Sequence, residues 1–488
     1  MTSAAASIDA SPPPGRYSRF MLNDFLPERC EGRFVQEPAR RIPVLTRCDV
    51  AVLGGGPAGV CAAVAAARMG KKVVLVERYG FLGGTATAAS VNIWHSLYGM
   101  DRQTKVIGGL PEEVIDRLLA LKAARNGAPD GRTSYWTVCT ETAKLVFDDL
   151  VVGAGVRLLL HAWLADVVME KDRVVAAIVE TKSGRQAIEA ATFIDCTGDA
   201  DLARRAGLPL QFGNAQGHCQ PPTLCFRLSG PIEQIPSGEL LEALLFNEPM
   251  DYNGEPYPCF LWGQRGVLDP GELMYAGTRV PNTNVADALE LTRAEVHARY
   301  QMRWVMRQLQ SAPGCEKLFL RDIATQIGTR ESYRIEAEHM VTREEILNGT
   351  RFEDTIAQGT YPIDIHNPKG RGIIFYELDG TRREITSEGR RVASRWDGAA
   401  GDAPKRDTLC WSVPYRSLIA HGAVNVLAAG RCIGVDHEAA GATRVMISAM
   451  QFGQAAGAGA ALAQGGAVRN VSGECVRDEL RRQGVPIL

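Results

Sequence analysis

The sequence has no CxxC pair and no grouping of cysteine and histidine at metal-ligand spacing among its 12 cysteines. That excludes a thioredoxin-like dithiol centre, and no metal or iron–sulfur site is expected. Cys219 and Cys225 lie close together, and without a CxxC they read as structural thiols. Excess charge is also missing: 54 basic residues face 56 acidic ones, for a net charge of -2. A chain without a broad basic field is not built to bind nucleic acid, and the pairs Arg382-Arg383 and Arg390-Arg391 read as solvated faces. Long apolar runs are absent too. The stretches near 50–70 and 445–463 are broken by glycines, so no membrane span is expected. Met1 to Gly15 is small, polar and proline-rich, without the apolar centre of a signal peptide. A cytoplasmic protein with reduced thiols is expected, its residues 1–46 forming a tail and leader. What remains is ample for two packed domains: 488 residues, 45% of them hydrophobic. The pattern does not set an oligomeric state.

What is present starts with Cys48–Leu53, a short apolar run leading into Gly54-Gly55-Gly56-Pro57-Ala58-Gly59 and then an alanine-rich segment to Arg68. This reads as strand, glycine turn and helix. Gly54 serves the tight turn, Gly56 the close approach of a pyrophosphate, and Gly59 the packing of helix on sheet, with Pro57 and Ala58 opening the helix. The free N–H groups and positive dipole of that helix end suit phosphate. Lys71–Val76 reads as the second parallel strand, ending at Glu77, whose carboxylate suits ribose hydroxyls and repels a 2′-phosphate. The dinucleotide is therefore FAD or NAD. After Glu77-Arg78 the chain continues Tyr79-Gly80-Phe81-Leu82-Gly83-Gly84-Thr85-Ala86-Thr87. This stretch resembles the FAD domain shared by glutathione reductase, fumarate reductase and related flavoproteins, which implies FAD and a loop beside its diphosphate and ribityl chain.

Later segments extend the resemblance. Thr140 to Gly155 has a helical pattern and Val156 to Leu164 reads as one further strand. Two short strands follow, Arg173–Thr181 and Gln186–Glu189, then the strand end Cys196-Thr197-Gly198-Asp199, which in such domains closes over the cofactor. Near the C-terminus, Val424–Ala429 reads as a strand ending in Gly430-Arg431, and Thr443-Arg444-Val445-Met446 opens an Ala/Gly-rich helix aimed at the pyrimidine edge of the flavin. The expected fold is α/β with an α+β insert: a discontinuous Rossmann-like FAD-binding domain of the glutathione reductase type, from 47–208 and 408–467. Residues 209–407 form an inserted substrate domain with a long helix at about Val285–Gln310, and 468–488 form a tail.

Within the insert, Gln220-Pro221-Pro222-Thr223-Leu224, Gly328-Thr329-Arg330-Glu331-Ser332-Tyr333-Arg334-Ile335 and Tyr361-Pro362-Ile363-Asp364-Ile365-His366 precede Gly430-Arg431-Cys432-Ile433. In this order they resemble a bacterial family labelled FAD-dependent oxidoreductase, defined by fold and cofactor rather than by one reaction. The chain departs from the family pattern at Pro222, where alanine is usual, and at Tyr333, where arginine is usual, and the pattern does not explain the leader, Arg16 to Thr46.

A flavin reaction needs a hydride donor over N5 and a group to move the accompanying proton. His366 is the first candidate, followed by His437 beside Glu438. His95 is a candidate to line the flavin face or to attach the ring covalently. Arg330 and Arg334 are candidates to hold a substrate carboxylate or to pair with Glu331 and Glu336. No second strand–glycine–helix unit offers an NAD(P)H domain, which favours reduction of the flavin by a small organic substrate. The alternatives are a monooxygenase reduced by transiently bound NAD(P)H and a flavin-carrying electron-transfer subunit. Trp411-Ser412-Val413-Pro414 lacks the second tryptophan of the halogenase pattern.

Overall fold

The computed structural model describes residues 25–127, 135–396 and 408–488. The expected tail Met1–Gly15, and residues 397–407 at the expected end of the insert, lie outside these.

β1 (Val44–Leu53) begins within the expected leader, and the carbonyl of Pro43 already accepts a bond from the Ala187 amide. Its last four residues, Val50 to Leu53, are fully buried, as expected of a parallel strand covered on both faces. α1 (Pro57–Arg68) follows, then β2 (Val73–Val76), parallel to β1 with Leu53 opposite Val76. These strands belong to a seven-stranded mixed sheet. Its order runs Arg157–Leu159, β2, β1, Gly184–Asp195, Arg173–Thr181 and Trp163–Glu170, with Val426–Ala428 also on Gly184–Asp195.

Two sequence expectations need correction. The segments Gln186–Glu189 and Thr192–Asp195 are one strand, Gly184–Asp195. Its first half pairs with Arg173–Thr181, and its second half takes Val426–Ala428 as neighbour. Val156–Leu164 is instead two strands. The chain turns at His161, which has φ +53°, so Arg157–Leu159 lies beside β2 while Trp163 starts an antiparallel strand at the far edge.

On the sheet, α1 packs against the helix Met446–Leu462 with almost no side chain between the backbones. A Cβ at Gly453 would lie 2.0 Å from the carbonyl oxygen of Ala58, and one at Gly457 would lie 2.3 Å from that of Ala62. Alanine and glycine at this contact let the two helices touch. Residues 468–488 are not a loose tail, because Gly473–Arg482 is helical and buries Val476 and Leu480 in the same core.

In the expected insert, an antiparallel sheet runs Trp262–Arg265, Glu272–Ala276, Cys225–Ser229, Phe319–Ile323. The helix Ala288–Gln310 lies on it. Asp287 caps this helix by accepting from the amides of Leu289 and Glu290, and Met302, Val305, Met306 and Leu309 pack with Phe226 and Leu228. A second antiparallel sheet is built from Ile363–His366, Ile373–Tyr376, Thr381–Ile385 and Arg391–Arg395. Thr355–Gly359 pairs with Trp411–Pro414 across the boundary drawn at 407, so this part is tied to the helix core on that side. Among the described residues no helix is long and apolar enough to cross a membrane. All 12 cysteines are free, and Cys219 and Cys225 are both buried.

Replacing Gly457 by valine is expected to destabilise the fold by about 2 kcal/mol or more, because the backbone of α1 has no room to retreat. Urea unfolding of the two proteins checks this.

Candidate active site

β1 is followed by Gly54, where φ is +102° and a Cβ would sit 2.4 Å from the carbonyl oxygen of Cys196. Only glycine fits so tight a turn against the neighbouring strand end. Gly56 is different. Its φ of -69° is ordinary, and a Cβ there would meet only the Cα of Gly84, 3.8 Å away. The space above it is open, and the helix start it caps carries no side-chain cap and no acidic residue in its first turn. Free amides and an open cradle fit a diphosphate. Glu77 accepts from the amide of Gly55 at 2.6 Å and from that of Tyr79 at 2.9 Å. Burial pushes its pKa up, while those two amides pull it down. Arg78 donates to Gln326 and lies over the rings of Tyr79 and Trp163.

From this cradle a single cavity of about 1220 Å³ runs inward. Pockets for one small ligand reach roughly 1,000 Å³, and this one is larger. Gly54, Gly56, Pro57, Ala58, Glu77 and Arg78 line its outer part, and Gly84, Thr85 and Leu164 line its walls. Thr197, Gly198 and Asp199 come from the end of the Gly184–Asp195 strand, where Asp195 holds the turn by accepting from the hydroxyl and amide of Thr197. Gly430, Arg431, Arg444, Val445 and Met446 close the inner part, and the helix starting at Met446 likewise has no side-chain cap. Arg431 is held by Asp199 at 2.6 Å and by the carbonyl of Thr329.

Five residues of the cofactor motifs do not line the cavity, and for Gly59 this agrees with its expected packing role. Gly59 serves helix packing, since a Cβ there would collide with the carbonyl oxygen of Gly54 at 1.8 Å. Gly83 donates its amide to the Gly55 carbonyl and, with Ala86, lies under the loop. Thr87 turns its hydroxyl to the carbonyl of Leu82, and Thr443 turns its own to that of Ala439.

At the inner end the motifs converge. The Asp364 carboxylate accepts from the hydroxyl of Tyr361 at 2.7 Å and from Arg444 at 3.1 Å, and Nε2 of His366 lies 3.2 Å from its other oxygen. Burial raises the Asp364 pKa, but His366, Arg444 and Tyr361 together hold it well below the usual carboxylate range. Nδ1 of His366 accepts from Nε of Arg279 at 3.2 Å. The ring is therefore neutral with its proton on Nε2, and burial together with Arg330 keeps it so. Both nitrogens are engaged. His95, at the end of the strand Ile93–His95, lies against Tyr361 with ring centroids 4.0 Å apart and the ring planes tilted by 35°. Its nitrogens bond to no protein atom among the described residues, and burial lowers its pKa to about 4. It is a neutral imidazole facing the cavity.

His437 and Arg334 do not reach the cavity. His437 donates from Nδ1 to Glu331 at 2.8 Å. Arg334 pairs with Glu331 and donates to the carbonyls of Val435 and Gly213, so both close a buried structural network. Arg330 does line the cavity. Tyr361 and Asp364 stood in a quoted motif without an assigned role, and Arg279 carried no signal in the sequence. Arg279 reaches the site because the strand Glu272–Ala276 ends beside it.

A family model described as FAD dependent oxidoreductase matches residues 49–480. The chain belongs to this family, and its cofactor is FAD. It is 26% identical over 163 residues to a thiamine thiazole synthase of Methanococcus vannielii, covering 32% of this chain and 57% of that one. To the thiamine thiazole synthase of Aeropyrum pernix it is 31% identical over 134 residues, covering 27% and 44%. The chain thus spans about half the length of these relatives. Among solved structures, a triple mutant of the flavin-dependent brominase Bmp2 covers 89% of this chain and 84% of its own length at 12% identity, with a TM-score of 0.42. Thermovibrio ammonificans THI4 covers 34% and 66% at 23% identity, with a TM-score of 0.27.

Gly56→Ala tests the cradle. The apoprotein should melt at the wild-type temperature, since the methyl group meets no protein atom closely, while FAD affinity should fall at least about tenfold because the methyl enters the phosphate space. Fluorescence titration with FAD measures it.

Proposed function

We infer that this enzyme oxidises a small organic molecule, passing a hydride to FAD in the manner of a dehydrogenase or oxidase. The observation that carries this reading is the continuity of one cavity from the phosphate cradle to a cluster of neutral proton carriers and fixed charges at its inner end. Bound FAD supplies a hydride acceptor at N5. Its phosphates would rest on the amides at Gly56 and Pro57 and its ribose on Glu77. Its pyrimidine edge would meet the uncapped helix start at Met446, whose dipole favours negative charge there. An FAD domain of the glutathione reductase type, with residues 209–407 contributing the substrate wall, is supported by the parallel β1–α1–β2 unit and by the antiparallel strands Trp163–Glu170 and Arg173–Thr181 in the same sheet.

His95 is the group we assign to take the proton of the substrate, because it is neutral, cavity-facing and free at its nitrogens. Tyr361 holds its ring by close contact, and Asp364 fixes Tyr361 in turn. His366, engaged on both sides, positions Arg279 and Asp364 rather than moving a proton.

Mixing the anaerobic FAD-loaded protein with NADH or NADPH should leave the flavin band unbleached, whereas an organic substrate should bleach it. Rapid bleaching by a nicotinamide favours the monooxygenase reading. With such a substrate, His95→Asn is expected to lower kcat by about 100-fold or more while FAD stays bound. In the wild type kcat/KM should fall only as pH drops through about 4, and this acid limb should vanish in the variant. Stability carries the same sign. Between about 4 and the ordinary histidine value of 6.5 the unfolded chain holds a proton on this residue and the folded chain does not, so the fold gains stability as pH rises across that window and loses it as pH falls.

A further inference from the structure

Resting on the reading that the inner end of the cavity receives the molecule to be oxidised, we propose that this molecule is a small organic acid whose carboxylate is gripped by Arg279 and Arg330. Nη1 of both arginines donates to the same oxygen, the hydroxyl of Thr223, at 2.6 Å from Arg279 and 2.5 Å from Arg330. Their other bonds also go to neutral atoms. Arg279 donates to the Thr278 carbonyl and to His366, and Arg330 donates to the Pro221 carbonyl. Nη2 of Arg279, and Nη2 and Nε of Arg330, donate to no protein atom among the described residues, and both side chains line the cavity.

The charges around them do not balance. Arg227 has Glu272 and Asp322, Arg334 has Glu331, Arg431 has Asp199, and Arg444 has Asp364. No carboxylate among the described residues forms an ion pair with Arg279 or Arg330. Asp364, the carboxylate of this cluster, is already held by Arg444 and Tyr361. A guanidinium does not shed its proton under ordinary conditions, so two of them side by side within protein call for an anion from outside the chain. Burial and the neighbouring Arg279 and Arg444 push the Arg330 pKa well below its ordinary value, which is the electrostatic signature of that missing partner.

The diphosphate of FAD is not that anion, because its cradle is the turn at the start of α1, whereas the bonds of both arginines go to Pro221, Thr223, Thr278 and His366 and none to that turn. A planar two-oxygen anion suits the forked donors of arginine. Phe260, Leu261, Met274 and Phe375 line the same cavity and offer an apolar surface for the body of the acid.

Benzoate serves as the probe, with the isosteric neutral benzamide as its control, in equilibrium dialysis against the FAD-loaded protein. Saturable benzoate binding is expected, with benzamide at least about tenfold weaker. Arg279→Met and Arg330→Met should each weaken benzoate tenfold or more, leave benzamide unchanged and keep the FAD content. Should either methionine variant fail to fold, Arg279→Lys and Arg330→Lys keep the charge but lose the fork, and at least threefold weaker benzoate binding is expected of them. Equal binding of benzoate and benzamide, benzoate affinity unchanged in the variants, or displacement of benzoate by an equal concentration of inorganic phosphate would each overturn the proposal. Arginine-dependent benzoate binding without bleaching of the flavin by any organic acid sinks the redox reading alone. Bleaching by an organic substrate without arginine dependence sinks the acid reading alone.

Discussion

The close contact of two helices governs the rest of this molecule. The backbone of α1 presses on the helix Met446–Leu462 where Gly453 faces the carbonyl of Ala58 and Gly457 that of Ala62. Side chains there would separate the helices and pull apart their starts, which come from opposite ends of the chain. Because the backbones touch, the uncapped start at Pro57 and the uncapped start at Met446 open into one cavity. Two positive helix ends in one space favour an anionic ligand long enough to span them. The strand Val426–Ala428, bonded to the far half of Gly184–Asp195, delivers Gly430 and Arg431 to the same place.

Charge organises the inner end. A buried charge without a partner is costly, so Asp199 pairs with Arg431 and Asp364 with Arg444, while behind the wall Glu331 pairs with Arg334 and His437. The two histidines that face the cavity are held neutral by burial. Of the two, His95 with its unengaged nitrogens suits proton acceptance, and the arginines left without a carboxylate suit an incoming anion. Under the proposed function, the molecule that fits this site brings negative charge and gives up a proton with its hydride.

The nucleotide half was legible in the sequence because its constraints are local. A tight turn, a close helix and a carboxylate at the end of the next strand lie within 24 residues of one another, from Gly54 to Glu77, and each demands a particular residue type. The inner end was legible only in part. Arg279 lies in an unremarkable stretch, and only the pairing of Cys225–Ser229 with Glu272–Ala276 brings it beside Thr223. His437 drew notice through its place in a motif, yet motif order does not say which way a side chain points, and this one points to Glu331. The strand expected over Val156–Leu164 broke because apolar composition does not register the turn at His161. Leu164 faces the cavity from the second of the two strands.

A crystal structure of the FAD-bound protein is the most direct test of the central claim, that one cavity holds the cofactor at its outer end and the reacting molecule at its inner end. Phosphates on the amides of Gly56 and Pro57, with the flavin ring reaching His95 and leaving Arg279 and Arg330 open beside it, are the expected result. Phosphates bound away from Gly56, or a ring that fills the space in front of Arg279 and Arg330, would contradict it.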